Sequence, residues 1–226
     1  MNVLVIAAHP DDEVLGCGGT IARLAAEGLK VFIAILGEGM TSRYQSREQA
    51  DQEHVGALHA RSRQVAALLG ARDLFMYGLP DNRFDTIALL DSIKIIEGLI
   101  DQIQPGVVYT QHGGDLNVDH AVVYRATLTA TRPTAGCAVK ELYAYEVPSA
   151  TEWAFGQFAP AFHPNVFVDI SSTLELKIQA MQSYESEARP FPHPRSPEAL
   201  RAIACRWGSV ADMKAAEAFE LVRKLT

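Results

Sequence analysis

The chain has 226 residues, 48% of them hydrophobic, and a formal net charge of −7. That is enough apolar material for one sizeable core, and a single domain is the expectation at this length. An acidic chain carries no electrostatic footprint for nucleic acid or for an anionic membrane surface, so the expected partner is a small-molecule substrate.

The start of the chain has no basic leader, and its apolar run is broken by His9 and Asp11, well short of a signal or spanning segment. A cytoplasmic location is expected. Cys17, Cys137 and Cys205 are odd in number and form no C-x-x-C pair, so neither a disulfide framework nor a cysteine zinc site is indicated. All three read as reduced, core-type residues. The composition leaves the oligomeric state open, a homo-oligomer included.

Apolar runs alternating with segments of helical period predict βα units around a mostly parallel sheet, a Rossmann-like α/β fold flanked by helices. The first strand is predicted over Asn2 to Ala8, followed by a helix over Val14 to Glu27 that ends near Gly28. A buried strand over Lys30 to Leu36 leads into the loop Gly37 to Arg43. Helical spacing from Ser46 to Leu69 precedes a strand over Leu74 to Tyr77 and the loop Gly78 to Arg83. Ile87, Leu90, Ile93, Ile96, Leu99, Ile100 and Ile103 lie three or four apart, an amphipathic helix that Pro105-Gly106 ends. Val107 to Thr110 is the fourth strand, feeding the segment Gln111 to His120.

Beyond this the pattern loosens. Strands are expected over Lys140 to Val147 and Val166 to Ile170, with the irregular stretch Pro148 to Asn165 between them, the kind of long loop that usually serves function. Helices are expected over Leu174 to Tyr184 and Pro197 to Trp207, and a final strand over Ala218 to Leu225. Gly16-Cys17-Gly18-Gly19 suggests close packing or a tight turn. It lacks the G-x-G-x-x-G spacing of a dinucleotide site, and the carboxylates of the preceding turn would repel a pyrophosphate.

The run Ala8-His9-Pro10-Asp11-Asp12-Glu13 places an imidazole and three carboxylates directly after a buried strand. In open α/β sheets ligands bind outside the carboxyl ends of the strands, which is where this cluster falls. His9 and Asp12 can converge on one cation. The third ligand is best supplied by His120 in Gly113-Gly114-Asp115-Leu116-Asn117-Val118-Asp119-His120, because right-handed βαβ connections put the ends of parallel strands on one side of the sheet. Two imidazoles and a carboxylate leave coordination positions open, as catalytic zinc sites do. Zinc lowers the pKa of water it binds from about 15.7 to roughly 7, and Asp11 is left over as the general base. Asp119 is placed to orient a histidine or Asp11. N-capping explains one Asp of this set and neither histidine.

These residues resemble the LmbE-like or PIG-L superfamily of zinc-dependent deacetylases, which act on N-acetylglucosamine-type sugars. Gly78-Leu79-Pro80-Asp81, Gly113-Asp115-Leu116-Asn117 and Pro192-His193-Pro194-Arg195-Ser196 are similar to blocks of one bacterial branch. The resemblance implies that His9, Asp12 and His120 hold zinc, that Asp11 is the base, and that Arg43 and Asp81 contact the sugar. It also exposes a departure: many relatives have a histidine where this chain has Asn117, and an amide can hydrogen-bond an oxyanion but cannot give up a proton. Asp11 is then the first choice for protonating the leaving amine, with His112 and His193 as further donors if their loops fold over the site.

Plainer readings remain beside these. Pro80-Asp81-Asn82 is also ordinary turn chemistry, Arg43 also reads as a solvated charge, His193 as part of a rigid proline loop, and Trp153 as packing rather than a sugar-stacking face. The same ligands bind Fe(II), so a non-haem iron oxygenase is the alternative enzyme, and a catalytically silent metal-binding protein is the alternative without chemistry.

Overall fold

The computed structural model describes residues 1–226. The apolar runs pair into one seven-stranded sheet: β1 (Asn2–Ala7), β2 (Lys30–Gly37), β3 (Asp73–Leu79), β4 (Val107–Gln111), β5 (Glu141–Tyr145), β6 (Val166–Asp169) and β7 (Ala216–Lys224), in the order β3-β2-β1-β4-β5-β7-β6. β1 to β5 are parallel, and β7 runs antiparallel between β5 and β6. The helices are α1 (Asp12–Ala26), α2 (Gln52–Leu68), α3 (Leu89–Ile103), α4 (Val118–Ala130), α5 (Leu174–Ser183) and α6 (Pro197–Val210). This is the mostly parallel, Rossmann-like α/β architecture that the alternation implies. No helix is long and apolar enough to cross a membrane.

The period of two along β1 divides its side chains between two cores. Val3, Val5 and Ala7 pack with Val14, Leu15 and Ile21 of α1, Leu58 and Val65 of α2, and Ile178 and Met181 of α5. Leu4, Ile6 and Ala8 pack on the opposite face with Ile96 and Leu99 of α3 and Val123 and Ala126 of α4. Both faces are covered, which is why the strand reads as an unbroken apolar run rather than an alternating one.

Local signals set several boundaries. Gly28 at φ 85 follows α1, with Gly28 N–H on Ala25 O and Leu29 N–H on Leu24 O, the two bonds of a Schellman termination. Gly16 is needed for close approach, since a Cβ there would lie 2.1 Å from Cδ2 of Tyr145. α2 starts at Gln52 rather than Ser46, because Asp51 caps it by accepting from the Glu53 and His54 amides. α1 starts earlier than the apolar period suggests, at Asp12.

Helix α4 is an element the hydrophobic period does not reveal. Its β-branched Val122, Val123, Thr127 and Thr129 blur the period, and the helix is fixed by the Asn117 cap, which accepts from Asp119 N–H, and by packing of Val123 and Ala126. Cys205 is exposed on α6, not a core residue; Cys17 is buried and Cys137 partly so. The segment 148–165 is irregular, with one short 3-10 turn at Glu152–Ala154.

Candidate active site

Strand order reverses at β1, with β2 on one side and β4 on the other, and such a reversal opens a crevice at the strand ends. Beside it lies a cavity of about 510 Å³ whose wall includes His9, Asp11, Arg43, Asp81, Asn82, Asn117, His120, Ser149, Trp153, Glu187 and Arg195. His9 and Asp12 come from the turn after β1 and from the first residue of α1; His120 comes from the first turn of α4. One Asp12 oxygen, Oδ2, lies 3.4 Å from His9 Nδ1 and 3.2 Å from His120 Nε2. The three side chains bring their donor atoms within 4.8 Å of one another.

The donor set fits a divalent cation, and so do its surroundings. His9 Nε2 lies 2.9 Å from Asp119 Oδ2, and Asp115 Oδ2 lies 3.1 Å from His120 Nδ1. Each imidazole thus has a carboxylate behind the nitrogen that faces away from the shared centre, the arrangement that orients metal-binding histidines. Asp12 is held by the His9 N–H and by Gln111 Nε2, at 2.8 and 3.1 Å. Burial disfavours a charge on Asp12, yet His120 and His9 outweigh it and hold its carboxyl well below the usual range. Burial opposes protonation of His120, but Asp12 and Asp115 push its pKa up to about 9. His9 is likewise buried, and Asp119 and Asp12 raise it well above the ordinary value. The protein alone concentrates negative charge here, which a cation would neutralise.

Asp11 is 2% exposed and sits at φ 105. Its Oδ2 accepts from Arg195 Nη1 at 2.7 Å. Burial raises the Asp11 carboxyl well above its ordinary value, the Arg195 guanidinium opposes this, and Asp12, Glu187 and Glu13 add to it. Arg195 is tied in turn to Ser149 Oγ at 2.8 Å and to Glu187 at 3.4 Å, and Glu187 also pairs with Arg43.

Most of the sequence-predicted residues converge. Asp119 meets His9, not Asp11, and also accepts from the Asn82 and Phe84 amides. Asp81 is both cavity wall and staple: its Oδ2 accepts from Ser42 N and Oγ, tying the loop after β2 to the loop after β3. Asn117 uses its carbonyl oxygen to cap α4 and one amide N–H on Asn82, leaving one N–H at the cavity wall. Trp153 stands on the rim at 39% exposure with its ring edge-on to His193 at 5.4 Å. His193 itself is not part of the cavity wall, and its Nδ1 accepts from Arg195 N–H.

His112 does not belong to the group. It is fully buried, with Nδ1 on Glu220 at 3.0 Å and Nε2 on the Pro160 carbonyl at 2.8 Å. Its role as a proton donor is therefore withdrawn: the residue directly after β4 is still inside the sheet layer, where it fastens the 148–165 segment to β7. Sequence reasoning passed over Arg195, Glu187, Ser149, Asp115 and Gln111. Arg195 and Asp115 lie inside blocks that were singled out, but no local pattern shows that an arginine so distant in sequence reaches Asp11.

A mostly parallel α/β sheet with a His/Asp/His group beside its switch point defines a Rossmann-like protein whose strand ends carry a candidate metal site. Residues 4–131, over half of the chain, match the PIG-L family, described as GlcNAc-PI de-N-acetylase, and the chain belongs to that family. An uncharacterized deacetylase of Escherichia coli (strain K12), YaiS, is 30% identical over 191 residues, 82% of this chain and 91% of that protein. The diacetylchitobiose deacetylase of Thermococcus kodakarensis is 26% identical, covering 98% of this chain and 83% of its own. Among solved structures, GalB, the 4-carboxy-2-hydroxymuconate hydratase of Pseudomonas putida KT2440, shares the fold with a TM-score of 0.78 at 21% identity, over 100% of this chain and 97% of that one.

Proposed function

We propose that the protein is a metal-dependent N-deacetylase that hydrolyses the acetamido group of an amino sugar or amino-sugar conjugate, releasing acetate and a free amine. The fold alone does not select this reaction, since a hydratase shares it. The observation that carries it is a buried carboxylate, Asp11, next in sequence to Asp12 of a His/Asp/His group, in a chain whose relatives include named deacetylases.

His9, Asp12 and His120 would hold the cation, and zinc suits two imidazoles and one carboxylate. When bound, the metal supplies a polarised amide carbonyl and a water made acidic enough to attack it. Asp11 is the residue that would accept the proton of the attacking water. Because Arg195 occupies Oδ2, Oδ1 is the oxygen left to receive it, and burial, which raises this carboxyl, favours holding the proton until the amine nitrogen leaves with it. Asn117 offers its remaining amide N–H to the oxyanion. Asp119 keeps the His9 ring in register, and Arg43, Asp81 and Trp153 line the space for the sugar. His193 steadies Trp153 and Arg195 rather than carrying a proton.

Acetate release from a panel of N-acetylated amino sugars, measured with metal-stripped and zinc-restored protein, tests this reading. Zinc-dependent release from at least one is expected; its absence from all of them overturns the assignment.

A further inference from the structure

Glu13 is absent from the cavity wall and from the metal-ligand group, yet it is 1% exposed and uses both carboxylate oxygens. Oε2 accepts the Asp11 N–H at 3.0 Å, and Oε1 accepts the Tyr184 hydroxyl at 2.6 Å. Tyr184 is itself fully buried and directly follows α5.

The backbone these bonds hold is unusual. Asp11 is the N-cap of α1 at φ 105 and ψ −27, a left-handed conformation that is costly for a residue with a Cβ. An aspartate at an N-cap ordinarily folds its carboxylate back onto the first free amides of the helix. Here it makes no such bond and reaches Arg195 instead. Glu13, at the second helical position, puts its carboxylate on the N-cap amide much as the N3 residue of a capping box does, while Asp12 N–H and Val14 N–H bond the His9 and Asp11 carbonyls, so these amides are satisfied without the Asp11 side chain.

We infer that Glu13, anchored by Tyr184, is a positioning residue for the base: it clamps the Asp11 peptide in the left-handed turn that directs the Asp11 carboxylate at the cavity and at Arg195. This rests on the reading of Asp11 as the proton carrier. Without the clamp, Asp11 can relax to the ordinary N-cap geometry, in which its carboxylate turns onto the α1 amides and away from substrate.

The test compares E13A, E13Q and Y184F with the wild-type holoenzyme for kcat, KM, zinc content and thermal unfolding. E13A is expected to lose about 10- to 100-fold in kcat, the scale seen when an orienting partner of a site residue is removed, with zinc content and KM held. Glutamine can still accept the Asp11 N–H and donate to Tyr184, so E13Q should recover most of kcat. Y184F, which frees one end of the clamp, should lose several-fold. Wild-type kcat in folded, zinc-loaded E13A overturns the inference, as does an E13Q loss equal to that of E13A, which would make charge rather than geometry the cause. If E13A fails to fold, Y184F decides: unchanged kcat overturns the clamp, and a several-fold drop in kcat with zinc content and KM unchanged supports it. A wild-type protein that releases no acetate from any amino sugar instead defeats the functional reading on which this rests.

Discussion

On the floor of the cavity, His9 and Asp11 follow β1 directly with Asp12 beside them, and His120 comes from the first turn of α4, the helix after the adjacent parallel strand β4. The far wall, with Ser149, Trp153, Glu187 and Arg195, comes from segments on either side of β6 and α5. The floor inherits its geometry from β1 and β4, whose register and two covered faces leave the following turns little freedom. The wall is set by side chains that meet across great sequence separation: Arg195 on Asp11, Glu187 on Arg43, His193 on Trp153. The lesson is one of division. Strand ends bring the His/Asp/His group together, while the wall sets a cation beside Asp11 and gives the cavity its shape.

Breaking the floor should have the largest effect. D11N is expected to lower kcat by about 100- to 10,000-fold, the range for a general acid or base, with zinc content unchanged by elemental analysis; H120A should lose zinc and activity together. If D11N retained near-normal turnover with metal bound, the base would have to be sought in the wall.

Removing the cation tests the floor without mutation. Chelation should abolish acetate release and lower the thermal midpoint, because a ligand at 100 times its Kd stabilises the folded state by about 2.7 kcal/mol. Restoring zinc should recover both. A midpoint indifferent to chelator would mean that His9, Asp12 and His120 hold no tightly bound ion.

Changes in the wall should be smaller and should spare metal content. R195M leaves the buried Asp11 carboxylate without its cation, and a drop in kcat of about 10- to 100-fold is expected, as for other partners that orient a site residue. W153A should raise KM by about 3- to 10-fold with little change in kcat, matching the ~0.5–1.5 kcal/mol of an aromatic contact. A large kcat effect for W153A would show that rim and floor are not separable in this way.

The smallest effect expected is on stability. Burial, Arg195 and Arg189 lower the pKa of His193, so the unfolded chain takes up a proton before the folded one does. Stability contributed by this group is complete above the ordinary histidine pKa and declines as the pH falls through it toward the lowered folded value. H193N should flatten that limb of a denaturation series between about pH 7 and pH 5, the window set by the ordinary histidine pKa near 6.5. An unchanged slope would remove His193 from the account.

Much of this was legible in the chain itself. Unbroken apolar runs announced the parallel strands, and a histidine and carboxylates immediately after β1 announced the floor, because chemistry at a strand end needs only a short local sequence. His120 could be matched to it by topology, since successive parallel strands end on one side of the sheet. α4 was hidden because its β-branched residues blur the helical period, and the exposure of Cys205 could not be read from residue type. The burial of His112 is not visible in the sequence, because only the fold shows that one residue past β4 the chain still runs within the sheet layer.

By itself, then, the amino-acid order determined the sheet class and the His/Asp/His group, because both follow from short-range periodicity and from the handedness of βαβ connections. Only the tertiary structure decided that Arg195 meets Asp11, that His112 is a fastening rather than a proton donor, and that Glu13 and Tyr184 hold the turn. Those contacts join segments from 108 to 184 residues apart. No local propensity encodes such a meeting; it results from the burial of α1, α5 and the sheet against one another, where buried polar groups must find their partners within the protein.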